Sequence, residues 1–202
     1  MFLNIPNTKY RGTSIRGPRQ SESGVTILEM VVAMLIMTVG LLGMAAAIGY
    51  AVTVSNKGRN VTNNKLLVVS ILEQMENLRN TNQLTFGQIA NTGSVDNSQA
   101  TTTFTGFPAT FQQVSINPGP DGIYGTADDL IDPGADGIYG TADDFTDQAW
   151  GVAGYTRQIL ITNLSTNLKR IQVTLQYPDT NGQTQQIVGV SYLNNNDVTN
   201  FR

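Results

Sequence analysis

The chain has no cysteine and no histidine. Without cysteine there is no disulfide framework, no thiolate nucleophile and no soft metal ligand. Without histidine, a hydrolase triad built on imidazole is excluded. Charge is also scarce: only 13% of the 202 residues are Asp, Glu, Lys or Arg, and the net charge is −3. That sign disfavours nonspecific binding to a polyanion, and no nucleic-acid partner is expected. These absences remove most routes to chemistry, and no catalytic residues and no enzyme activity are expected. What the chain has in excess is one apolar run.

The run covers residues 24–50, GVTILEMVVAMLIMTVGLLGMAAAIGY, and its one charge is Glu29. The next charge is Lys57. Spanning a bilayer as a helix needs about 20 apolar residues, so the run is long enough. A carboxylate in such a segment is costly and marks a function more often than not. Ahead of the run lies a basic stretch with Lys9, Arg11, Arg16 and Arg19, ending in SESG. Basic residues on that flank place it in the cytoplasm and the bulk of the chain across the inner membrane. A secretory signal carries its small-residue cleavage site after the apolar region. Here the small residue, Gly24, precedes it. A cut between Gly24 and Val25 would remove the basic leader, keep the apolar helix, and leave a free amine about one helical turn from Glu29.

The stretch Gly24-Val25-Thr26-Ile27-Leu28-Glu29, followed by MVVAMLIMTVGLLGMAA, resembles the N-terminal cleavage and methylation motif of type IV pilins and pseudopilins. The chain departs from the usual pattern in having Val25 where Phe or Met is common, and Ile27-Leu28 in swapped order. The resemblance implies cleavage by a prepilin peptidase after Gly24, N-methylation of Val25, and Glu29 as the assembly carboxylate. It implies an α+β fold in which a long N-terminal helix packs on a C-terminal antiparallel sheet. Partners would be other pilin subunits, an inner-membrane assembly platform, and lipid before assembly. Two weaker details are similar to PilV-type minor pilins: the run Val39-Gly40-Leu41-Leu42-Gly43-Met44-Ala45, and the strand Leu168-Lys169-Arg170-Ile171-Gln172-Val173-Thr174-Leu175.

Beyond the apolar run, Val61, Val68, Ile71, Leu72, Met75 and Leu78 recur at helical spacing, with Lys65, Glu73, Glu76 and Arg79 off the stripe. This predicts a helix to about Asn80. Gly40, Gly43, Gly49 and Gly58 weaken it by about 1 kcal/mol each relative to Ala. Gly43 with Ala47 and Ala45 with Gly49 are also small-xxx-small pairs that permit close helix contacts, so local melting and tight packing both stay open. The next stretch, 83–117, is polar with scattered Phe86, Phe104, Phe107 and Phe111. It reads as a loop with one or two short strands.

A tandem repeat follows. PGPDGIYGTADDLID (118–132) is succeeded by PGADGIYGTADDFTD (133–147). The first copy carries Asp121, Asp128, Asp129 and Asp132, and the second Asp136, Asp143, Asp144 and Asp147. Carboxylates so concentrated repel one another. A Ca2+ ion held by carboxylates and Gly-turn carbonyls would relieve the repulsion, though the spacing is not that of an EF-hand. A solvated acidic turn without metal is the other reading. The pairs Ile123-Tyr124 and Ile138-Tyr139 are expected to pack the two turns together.

After Trp150 the pattern alternates. Tyr155, Arg157, Ile159 and Ile161 share one face, as do Ile171, Val173, Leu175 and Tyr177. After the turn PDTNG, the strand QTQQIVGVSYL puts Val188, Val190 and Tyr192 on one face. Three such strands need a cover, and the amphipathic helix half supplies it. The expected organisation is a cytoplasmic leader over 1–24, an apolar helix half over 25–54, an amphipathic half over 55–82, a connection over 83–117, the repeat over 118–147, and sheet plus an exposed tail over 148–202. The expected function is a structural subunit, a minor pilin of a type IV pilus or related filament. It would be extracellular after assembly, or periplasmic if the filament is a pseudopilus. The alternatives are a type II secretion pseudopilin and, in another class, a single-pass calcium-binding adhesin that never polymerises.

Overall fold

A computed structural model describes residues 24–179 and 181–195. All of the leader expected over 1–24 except Gly24, and residues 196–202 of the expected tail, lie outside it. The chain divides into two compact units, Met1–Tyr50 and Ala51–Arg202.

The described part of the first unit is the start of α1, Ile27–Asn80. Thr26 begins it: its carbonyl accepts the first helical bond from Met30 N at 3.2 Å, and its Oγ1 accepts from Glu29 N at 3.3 Å. Thr26-Ile27-Leu28-Glu29 is thus a Thr-x-x-Glu start, with the acid in the first turn where the helix dipole favours it. Every residue from 24 to 50 is exposed, including Leu28, Ile36, Leu42 and Tyr50. The helix is long and apolar enough to cross a membrane.

The second unit is built on the rest of α1 and a four-stranded antiparallel sheet. The strands are β1 (Gln112–Ser115), β4 (Gly151–Ser165), β5 (Leu168–Pro178) and β6 (Thr184–Asn194), in the order β1-β4-β5-β6. The short strands β2 (Ile131–Asp132) and β3 (Phe145–Thr146) form a separate hairpin. This gives the α+β class, with one strand more in the main sheet than the alternation predicts. The helix stops where Asn82 takes φ 57°, a left-handed conformation that Asn tolerates.

The buried helix stripe is Asn64, Val68, Ile71, Met75 and Leu78. Val61, expected on it, is 38% exposed, and polar Asn64 takes a buried place with its Nδ2 unpartnered. The stripe joins a core with Ile159, Ile171, Val173 and Leu175 from the sheet. The connection over 83–117 is more than a loop, because Leu84, Ile89, Phe104 and Phe107 enter the same core. Phe104 and Phe107 meet edge to face at 5.2 Å. Asn91 clamps this segment to β4: its Nδ2 donates to Ile159 O at 2.7 Å and its Oδ1 accepts from Ile161 N at 2.8 Å.

The face predicted for β6 is not the covered one. Val173 pairs Gly189 and Leu175 pairs Ile187, so the core face of β6 holds Ile187, Gly189, Ser191 and Leu193. Val188, Val190 and Tyr192 are on the other face, 54%, 41% and 58% exposed. Gly189 is there because the helix comes close. A Cβ on it would collide with Val68 Cγ1 and lie 3.1 Å from Leu72 Cδ1. Farther along, Ser191 Oγ donates to Glu76 Oε1 at 3.2 Å and Arg79 donates to Asn194 O. Gly189→Ala is expected to cost about 1–3 kcal/mol through overpacking, read as a lower melting temperature.

Candidate functional site

Two places were marked by the sequence, the N-terminal motif and the tandem repeat. At the first, Gly24 and Val25 are exposed and precede the helix, and Glu29 sits in its first turn with its backbone N–H on Thr26. The bond that closes this start comes from the backbone N–H of Glu29 rather than from its carboxylate.

The repeat is built from side-chain-capped turns, and the two copies share most of their bonds. In the first, Asp121 Oδ1 accepts from Ile123 N at 2.8 Å and Asp128 Oδ2 from Asp121 N at 3.3 Å. Asp129 accepts from Gly125 N at 2.9 Å and Thr126 N at 3.0 Å. In the second, Asp136 Oδ1 accepts from Ile138 N at 2.8 Å and Asp143 Oδ2 from Asp136 N at 3.3 Å. Asp144 accepts from Gly140 N at 2.7 Å. Thr126 and Thr141 occupy matching places, lying 2.6 Å from Asp128 Oδ1 and Asp143 Oδ1 respectively. Gly119 and Gly134 both have positive φ, 69° and 67°, and at both a Cβ would strike the carbonyl of Asp128 or Asp143.

The copies differ in what surrounds them. The first is seated on the sheet. Ile123 is 3% exposed, and Asp129 forms an ion pair with Arg157 of β4, both side chains at most 5% exposed. Gly125, at φ 100°, lies so near β4 that a Cβ would be 2.8 Å from Ile159 Cδ1. Gln74 of α1 donates to Tyr124 O at 3.0 Å. The second copy forms the loop of the β2–β3 hairpin. Ile138 is 61% exposed, and Asp144 has no ion pair among the described residues. The expected packing of Ile123-Tyr124 on Ile138-Tyr139 is therefore corrected: Ile123 enters the core and Ile138 faces solvent. The Tyr139 hydroxyl reaches back, 3.3 Å from Asn117 Nδ2.

The remaining carboxylates do other work. Asp132 accepts from Trp150 Nε1 at 2.8 Å, and Asp147 caps a short 3-10 turn (Gln148–Trp150) through Ala149 N. Among the described residues, no group of three or more acidic, His or Cys side chains is arranged to hold a metal ion. The Asp side chains of the repeat accept mainly from backbone N–H groups, the two threonines and Arg157.

Burial depresses the Arg157 pKa, and the Asp129 charge partly offsets this. Burial likewise lowers that of Lys169, whose Nζ donates to Phe86 O at 2.5 Å and Ile89 O at 2.8 Å. Neither buried cation was singled out from the sequence. The signal was an Arg and a Lys on strand positions otherwise facing the core.

Asp121 is an exposed residue whose carboxyl is nonetheless partly withdrawn from water. Its pKa is pushed up to about 6, first by that desolvation and then by the charges of Asp128 and Asp129, against the bonds from Ile123 and Thr126. A carboxyl with a raised folded pKa favours the fold when protonated. Its contribution is present below about pH 4 and is lost as pH rises through about 6. Asp121→Asn keeps the acceptor for Ile123 N. The variant is expected to melt higher than wild type at pH 7 and equally at pH 4, as thermal melts at both pH values would read.

Comparison with known proteins gives no match to a family model, to a curated protein or to a solved structure.

Proposed function

We propose that the chain is a structural subunit, a minor pilin, of a type IV pilus or a related filament, and that it performs no chemistry itself. The observation that carries this is the exposed apolar surface all round residues 27–50, directly behind the Gly24-Val25-Thr26-Ile27-Leu28-Glu29 motif. A helix apolar on every side is stable only in lipid or against other apolar helices. A folded unit carried behind such a helix has no need of the membrane for its own core.

In this reading a prepilin peptidase cuts after Gly24, Val25 is N-methylated, and the subunit waits as a single-pass inner-membrane protein. It then leaves the bilayer to pack helix against helix in the filament. Glu29, taken out of water there, requires a cation, and the Val25 amine of a neighbouring subunit supplies it. Changing Gly24 to a bulky residue (Gly24→Val) tests the processing step. The variant is expected to stay at the precursor mass in membranes while wild type is shortened by the leader. Equal masses for the two proteins would overturn the proposal.

A further inference from the structure

The repeat holds an internal comparison. Asp121-Gly122-Ile123-Tyr124-Gly125-Thr126-Ala127-Asp128-Asp129 and residues 136–144 are identical in sequence and close their turns with corresponding bonds. In the first copy the turn serves as a plug. Ile123 inserts into the core, and the carboxylate of Asp129, preset by Gly125 N and Thr126 N, takes the Arg157 guanidinium. Its seat on the sheet is an arginine with an aliphatic side chain two residues along the same strand face, Arg157 and Ile159.

The second copy presents the same plug unseated. Ile138 is 61% exposed and Phe145 is 53% exposed. Asp144 accepts from Gly140 N as Asp129 does from Gly125 N, yet has no cation among the described residues. A surface of the seat's composition exists on this same chain. On the outer face of the sheet Arg170 pairs Tyr192 and Gln172 pairs Val190. Among the described residues Arg170 has no carboxylate partner; its Nη2 donates to Gln172 Oε1 at 2.7 Å. Around it Val188, Val190 and Tyr192 are exposed, with no cover among the described residues.

We infer that the second repeat copy of one molecule docks on the outer face of β5 and β6 of another, with Ile138 against Val190 and Tyr192 and Asp144 on Arg170. Both surfaces lie within residues 51–195, so this contact is separate from helix-mediated assembly and stands or falls without it. The two surfaces differ, which makes the contact heterologous, and such contacts propagate into open arrays or close into rings. Opposite charge on the two sides sets register and excludes the reversed pairing.

The absence of cysteine makes the test clean. Full-length chain carrying Ile138→Cys with one tag is mixed in detergent micelles with full-length chain carrying Val190→Cys with another, and a mild oxidant is added. Both positions are exposed, so neither change should disturb folding. The expected result, with the two chains at equal concentration, is a mixed disulfide well above the twofold excess over either self-pair that random pairing gives. Asp144→Arg in the first chain is expected to cut its yield about tenfold, since like charges face each other at the contact, and Arg170→Asp in the second to restore it. No mixed product from chains that melt like wild type would overturn the inference. So would a yield indifferent to charge reversal, or a dominant Ile138→Cys self-pair. Calcium-dependent stabilisation lost in Asp144→Asn, with no mixed disulfide, would assign the second copy to a metal ion instead and equally overturn it.

Discussion

Asp129→Ala is expected to lower the stability of the folded unit by about 3–5 kcal/mol, the cost of leaving one member of a buried ion pair alone. The Arg157 side chain is 4% exposed and cannot shed its proton at neutral pH. The substitution also strips the acceptor from Gly125 N and Thr126 N, so the turn that seats Ile123 loses its closure. Arg157→Met is expected to cost less. The carboxylate it leaves behind still receives both backbone N–H groups, and Met fills the apolar volume of the arginine stem. The double variant should cost less than the sum of the two singles. Trp150, the one tryptophan, bonds Asp132 beside the repeat, so its fluorescence in denaturant titrations reports this region directly. A loss below about 1 kcal/mol for Asp129→Ala, or a larger loss for Arg157→Met, would contradict a plug held chiefly by its charge.

Glu29→Gln is expected to leave the subunit in the membrane at wild-type amounts and to reduce its recovery in sheared filaments about hundredfold or more, at about 3–5 kcal/mol for a broken buried pair. The choice of Gln matters because it separates two duties of Glu29. As the fourth residue of Thr26-Ile27-Leu28-Glu29 it belongs to a helix start in which Gln serves as well as Glu. As the partner of a neighbouring subunit's Val25 amine it must carry charge. Gln keeps the first and removes the second. Recovery of the variant in filaments at the wild-type level would mean that the local helix start is all Glu29 provides.

Much of the fold was legible because periodicity carries it. The spacing of Val68, Ile71, Met75 and Leu78 placed the helix and its end near Asn80. The alternation in 155–161 and 171–177 placed β4 and β5 with their core faces right. On β6 the same rule pointed to the wrong face, because the helix approaches too closely for a side chain at Gly189, and the covered positions include Gly189 and Ser191. An inward face whose two middle positions are Gly189 and Ser191 leaves a weaker hydrophobic signal than the outer Val188, Val190 and Tyr192. Phe104 and Phe107 were read as loop residues because they reach the core from an aperiodic segment, which no spacing rule detects. Asn64 displaced Val61 from the buried stripe for a reason that helical spacing does not contain. In the repeat, the Asp-Gly turns were legible from their chemistry. The difference between the copies was not, because residues 121–129 and 136–144 are identical, and what seats the first turn, Arg157 above all, lies elsewhere in the chain.

The central claim is that Val25 becomes the first residue of an assembled subunit. Peptide mass spectrometry on sheared and membrane fractions of the producing cell tests it directly. The account predicts a peptide beginning at N-methylated Val25 in both fractions, with only a small share of the protein in the sheared one, as a minor subunit requires. Peptides running intact through Gly24 and Val25 in every fraction would contradict it.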